Sequence, residues 1–269
     1  GLMCREIPGL FLAGQIVGSS GYEEAAAQGL VAGLNASLYI RGEAPLHLDR
    51  ADGYTGVLID DLVTKGTPEP YRMMTARAEY RLLLRQDNAD LRLTEKGYRA
   101  GLASQERYDK MLQKRTQTAQ AIEHLQKTGL SKVQAQQLSA QIGQDIMPGV
   151  SWAKCLARPS VTRQVVTAMD ADFSGFSPDA QEQAEIEVKY QGYLARQQRE
   201  IERARQWEHH RLPKGLDYLS MPGLRTEARQ KLQAQQPENL GQASRISGVS
   251  PADIAVLSIL LEKQEKQHV

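Results

Sequence analysis

The stretch AGQIVGSSGYEEAAAQG, from Ala13 to Gly29, puts three glycines and a serine pair directly in front of a helix-like run. Just before it, Leu10 to Ala13 form a short apolar run bounded by Gly9 and Gly14, the pattern of a buried strand in a parallel sheet. Just after it, from Tyr22 to about Leu38, residues Ala25, Ala26, Leu30, Leu34 and Leu38 fall on or near one helical face. Strand, glycine turn and helix together predict the opening of a dinucleotide-binding α/β unit. A helix N-terminus leaves backbone N–H groups free, and glycines let the chain approach a ligand closely. Gly14, Gly18 and Gly21 are therefore candidate contacts to an anionic or electron-rich cofactor edge. A tight turn without any ligand has the same spacing. The G-x-G-x-x-G phosphate fingerprint is absent.

Working outward, 269 residues suffice for one large domain or two smaller ones. A net charge of +1 excludes reading the overall charge as a nucleic-acid signal, so any basic surface must be local. Cys4 and Cys155 have neither metal-ligand spacing nor a disulfide framework, as expected of thiols in a reducing cytosol. There is no apolar run long enough to span a membrane and no signal-peptide pattern at the start, so a cytoplasmic location is expected.

Gly42, Pro45, Gly53, Gly66, Pro68 and Pro70 break residues 41 to 71, leaving Tyr54 to Val63 as a short element. Beyond Ser104 the chain turns helical. Ser104 caps one helix that Gly129 stops, and Ser131 caps a second running to about Ile142. Short helices are expected at Trp152 to Ala157 and Arg163 to Met169. Ser177 and Pro178 open a long, half-exposed helix to about His209. Thr226, Leu240 and Ser250-Pro251 mark the helices of a small terminal bundle. These signals predict four segments: 1–45, a connecting part 46–100, helical 101–212, and a docking bundle 213–269.

Three further motifs carry chemistry. In PYRMMTARAEYRLLLRQDNADLRLTEKGYR, Pro70 to Arg99, the spacing of Arg77, Arg81 and Arg85 makes one stripe if the segment is helical. Arg72 and Arg92 flank it, and Tyr71 and Tyr80 are possible stacking faces. Phosphate contacts with base stacking fit this pattern, and so does an internal arginine–carboxylate network. In EIEVKYQGYLARQQREIER, Lys189, Tyr193, Arg196 and Glu200 lie close to one face, either a binding face or a solvated one. LGQASRISGVSPADIAVLSILL has helix-turn-helix form, but its second helix is too apolar for a DNA groove and suits a bundle core or a protein docking face. The five histidines lack nucleophile or metal-ligand partners by spacing, and no catalytic constellation is present.

Taken together, GLFLAGQIVGSSGYEEAAAQGLVAGLNA, PYRMMTARAEYRLLLRQDNADLRLT, VKYQGYLARQQREI and GQASRISGVSPADIAVLSILL resemble the C-terminal part of the tRNA uridine 5-carboxymethylaminomethyl modification enzymes, also called glucose-inhibited division protein A. The resemblance implies a mainly α chain: an N-terminal remnant of a Rossmann-type FAD-binding α/β domain, then an α-helical C-terminal domain. It implies FAD as cofactor, NADH as reductant and methylene-tetrahydrofolate as one-carbon source. With a partner GTPase, such enzymes add an aminomethyl-type group to carbon 5 of the wobble uridine of tRNA. They work as homodimers and meet tRNA and GTPase through their helical C-terminal region. By position, Gln15 matches the family's FAD-contacting glutamine, with Gly14, Gly18, Gly21, Tyr22 and Glu24 on the same edge. Arg72, Arg77, Arg81, Arg85 and Arg92, joined by Lys189 and Arg196, match a tRNA surface. The phosphate fingerprint and the family's functional cysteines belong upstream, and Cys4 and Cys155 do not match them. The chain is thus expected to be a fragment that alone neither holds FAD tightly nor modifies tRNA. The alternative is a self-standing helical adaptor for RNA or protein.

Overall fold

The computed structural model describes residues 2–66, 69–213 and 215–267; Pro68 and one of the five histidines, His268, lie outside them. Helix makes up 63% of the chain and no strand occurs among the described residues, so the chain is mainly α. The expected strand at Leu10 to Ala13 does not form. Phe11 makes only an isolated antiparallel bridge to Met3, with Leu12 N donating to Leu2 O at 3.0 Å and Cys4 N to Leu10 O at 2.7 Å. A strand takes its hydrogen bonds from a neighbouring strand, and among the described residues there is none.

In chain order the α-helices are α1 (Tyr22–Ile40), α2 (Tyr54–Lys65), α3 (Ala89–Arg99), α4 (Gln105–Lys127), α5 (Lys132–Ile142), α6 (Trp152–Leu156), α7 (Arg163–Met169), α8 (Ala171–Ser174), α9 (Pro178–His209), α10 (Thr226–Gln235), α11 (Leu240–Arg245) and α12 (Pro251–Gln267). They divide between two compact units, Gly1–Glu79 with Gln198–Val269, and Tyr80–Gln197.

In the unit of residues 80–197, α4 to α8 and the start of α9 close around Leu125, Leu138, Trp152, Leu156, Phe173 and Ala184, all fully buried. The caps follow the sequence. Ser131 Oγ accepts from Gln134 N while Gln134 Oε1 accepts from Ser131 N, a reciprocal capping box. Ser104 and Ser177 accept from Arg107 N and Ala180 N. Gly129 has a different duty from the expected helix stop. α4 ends at Lys127, and a Cβ on Gly129 would sit 2.7 Å from Gly149 O, so the glycine lets two chain segments cross closely.

The arginine stripe is not helical. Thr75–Arg77 is a short 3₁₀ turn, residues 80–88 form turns and bends, and a helix begins only at Ala89. Side chains here compete for the carbonyls: Asn88 Nδ2 donates to Leu83 O and Arg85 to Leu82 O.

In the other unit, Tyr218, Leu232, Leu240, Leu257 and Leu261 form the core of the terminal bundle. Ile254, Leu257 and Leu261 of α12 are thus spent on packing, while Ile259 is exposed. Ser250 and Asp253 cap α12 reciprocally, Asp253 Oδ2 accepting from Ser250 N at 2.8 Å. Thr226 is the first residue of α10 rather than its cap, which is Arg225.

Candidate functional site

The glycine turn sits in the unit of residues 1–79 and 198–269. Gly14 to Val17 make one 3₁₀ turn bracketed by Gly14 and Gly18, with φ of 84° and 94°. That left-handed region strains any side chain, which explains both glycines. Gly14 N donates to Oε1 of Gln28, a fully buried residue of α1 that also faces Ser19 Oγ. Gln15 is exposed and Tyr22 is 93% exposed, so the outer rim of the turn is open. A Cβ on Gly21 would meet Glu24 Oε2 at 1.7 Å, so any side chain there would displace the Glu24 carboxylate.

Glu24 is buried, and its carboxylate accepts from Met73 N at 2.8 Å and lies 3.7 Å from Arg72. Those bonds, led by the Met73 N–H, hold its carboxyl below the usual range. Tyr71 N donates to Gly18 O at 2.7 Å and Ser20 N to Tyr71 O at 3.0 Å. The turn and the start of the arginine segment, far apart in sequence, are therefore bonded side by side.

The arginines have different roles. Arg72 and Arg77 are exposed; Arg77 Nε donates to Arg72 O at 2.9 Å, and its guanidinium lies 4.4 Å from the centre of the Tyr71 ring. Tyr71, a possible stacking face by sequence, is buried, with one face used by Arg77. In the other unit, Arg81 is exposed. Arg85 is held by Asp87, Leu82 O and Gln183, and Arg92 by Asn88 and Arg85 O. Lys189 pairs with Glu185 at 2.9 Å, while Arg196 is exposed on α9.

Sequence reading missed the polar frame beneath this site. Arg50, 8% exposed, donates to Asp60 at 2.9 Å, Asp61 at 2.8 Å, Glu79 at 2.7 Å and Arg77 O at 3.1 Å. Asp61 also accepts from Tyr71 Oη at 2.8 Å and pairs with Lys65 at 2.7 Å. Burial raises the Asp61 carboxyl, but Lys65, Tyr71 and Arg50 outweigh it and the net shift is downward. Arg245 of α11 reaches Asp60, 185 residues away, at 2.8 Å. The only sequence signal was the density of charge in 49–61, and it names no partners.

Among the described residues, His124, Asp170 and Asp172 make the one group with metal-ligand proximity. His124 Nε2 lies 3.0 Å from Asp170, which already caps α8 by accepting from Phe173 N. Spacing alone hid this partner.

Three family models match in chain order: "Glucose inhibited division protein A" over residues 1–44, "tRNA modifying enzyme MnmG/GidA C-terminal helical domain" over 105–198, and "tRNA modifying enzyme MnmG/GidA C-terminal helical bundle" over 200–269. The chain belongs to the MnmG/GidA family. It is 51% identical over 267 residues to the tRNA uridine 5-carboxymethylaminomethyl modification enzyme MnmG of Caldicellulosiruptor saccharolyticus, covering 98% of this chain and 43% of that protein. The enzyme of the same name from Alkaliphilus metalliredigens is 52% identical, over 99% of this chain and 42% of that protein. Among solved structures, Aquifex aeolicus GidA matches with a TM-score of 0.79 at 38% identity, over 97% of this chain and 41% of that one. The chain thus spans less than half the length of these relatives. No described helix is long and apolar enough to cross a membrane.

Proposed function

We propose that this chain forms the tRNA-facing and flavin-edge part of an enzyme that modifies carbon 5 of the wobble uridine. The observation that carries this reading is the pairing of Gly18 and Ser20 with Tyr71, together with the Glu24–Met73 bond. These contacts put the exposed Arg72 and Arg77 beside the glycine turn. A wobble base steered by phosphate contacts to Arg72 and Arg77 would then arrive next to a ring seated on that turn.

The turn fits one edge of FAD. Gly14 and Gly18 leave backbone exposed where side chains are strained, and the Gln28 Nε2 behind them is buried without a partner. Gln15, Gly21, Tyr22 and Glu24 complete that edge. No pyrophosphate fingerprint occurs in the sequence, so the rest of the cofactor site is supplied by other residues. When bound, FAD would supply redox equivalents, with NADH as reductant and methylene-tetrahydrofolate as carbon donor.

On this reading Arg72, Arg77 and Arg81, with Lys189 and Arg196, contact tRNA. Arg85 and Arg92, in the unit of residues 80–197, hold the turns there in shape. A partner GTPase meets the helical region, and the enzyme is a homodimer.

Fluorescence anisotropy with unmodified tRNA across a salt series tests this. Arg72→Ala/Arg77→Ala/Arg81→Ala is expected to weaken binding and to flatten the slope of log affinity against log salt, by about 0.7–0.9 for each phosphate no longer neutralised. An unchanged slope would remove these arginines from the RNA surface.

A further inference from the structure

Tyr71 is bonded in three directions. Its backbone is paired with Gly18 and Ser20 of the glycine turn. Its ring carries the Arg77 guanidinium at 4.4 Å. Its hydroxyl donates to buried Asp61 at 2.8 Å, and Asp61 is in turn held by Arg50 at 2.8 Å. We infer that Tyr71 is a positioning residue of the proposed site, fixing the Arg77 guanidinium at a set distance from the glycine turn. The inference rests on the functional reading above.

A free arginine side chain samples many rotamers, and ordering it on binding costs affinity. Here the ring face and the Arg72 carbonyl hold Arg77 in advance. The ring could hold it equally well as phenylalanine. The hydroxyl serves the other contact: a charge-assisted bond to a buried carboxylate keeps residue 71 against the turn. Arg50 donates both to Asp61 and to Arg77 O, so one guanidinium braces the anchor and the backbone of the arginine. Residue 71 therefore joins two demands that different substitutions separate.

The test uses the full chain with Tyr71→Phe, Tyr71→Leu, Asp61→Asn and Arg77→Ala, reading Ser20 amide exchange by NMR and tRNA affinity by anisotropy. Tyr71→Phe is expected to weaken tRNA binding less than Tyr71→Leu does while speeding Ser20 exchange about ten-fold or more, as expected for removal of one bond to a charged group. Asp61→Asn should behave in the same way, and serves as the second variant if Tyr71→Leu does not fold. Tyr71→Leu should weaken tRNA binding by the same factor as Arg77→Ala, and the double variant should bind no more weakly. Multiplying effects in the double variant, or unchanged Ser20 exchange in Tyr71→Phe, would overturn the inference. If the wild-type chain does not bind tRNA, the functional reading fails instead. Exchange at Ser20 in Tyr71→Phe and at the Arg77 Nε–H in Tyr71→Leu then still decides the positioning claim, and unchanged rates would refute it.

Discussion

In the unit of residues 80–197, Trp152, Phe173, Leu125 and Leu138 are fully buried within one apolar cluster, and serine caps define where its helices begin. Around the glycine turn the apolar cluster is small, with Leu2, Val31, Ala32 and Ile59 as its buried members. What organises that region is Arg50, Asp60, Asp61, Tyr71 and Arg245. Non-directional packing suffices for a scaffold. A surface that must hold a turn and an arginine in fixed relation needs directional bonds, and the charged frame supplies them.

Breaking the frame is the strongest way to challenge that contrast. Arg50→Met leaves Asp61 buried with reduced compensation and is expected to cost about 3–5 kcal/mol. The destabilisation should appear in denaturant unfolding followed by hydrogen exchange in α2. A cost below about 1 kcal/mol would show the frame to be dispensable. Trp152→Ala, in the apolar cluster, is expected to cost about 3–5 kcal/mol by cavity formation, with exchange rising in α4 and α6. Its cost should not depend on pH between neutrality and about pH 4, because it removes no titrating group.

Acid sharpens the comparison further. Glu24, Asp61 and Asp253 are all depressed in the folded state, Asp253 chiefly by its bond to Arg225. A depressed carboxyl contributes stability above its unfolded pKa, near 4, and loses it as pH falls toward the folded value. The region around the turn should therefore lose exchange protection first on titration below about pH 4. In the other unit Glu187 is raised by burial, so protonating it favours the folded state and partly offsets the depressed Asp87. Equal acid sensitivity of the two regions would contradict the account. The smallest expected effect is Ser131→Ala, about 1 kcal/mol from removal of the α5 capping box, read from the same unfolding curves.

These differences also explain what was legible in the sequence. Ser104, Ser131, Ser177 and Ser250 announced their helices because a cap is a local bond to a residue three positions on. The apolar α12 suited either a core or a docking face, and Ile254, Leu257 and Leu261 take the first. The Leu10 to Ala13 run misled, because an apolar run says nothing of whether a partner strand exists, and here Leu10 is exposed and Phe11 to Ala13 are only half-buried. The arginine spacing misled for a related reason. Periodicity suggested a helix, but Arg77 O was claimed by Arg50 and Leu83 O by Asn88, bonds that no periodicity encodes. Gln28 and Arg245 were invisible because their partners, Gly14 and Asp60, are distant in sequence.

The central claim is that the glycine turn and residues 71–77 form one tRNA-facing site. Photocrosslinking tests it most directly, using a tRNA with 4-thiouridine at the wobble position and mapping the adducts on this chain. The account predicts adducts within residues 14–24 and 71–77, abolished in Arg72→Ala/Arg77→Ala. Adducts confined to other peptides, or none under conditions where the tRNA is bound, would contradict it.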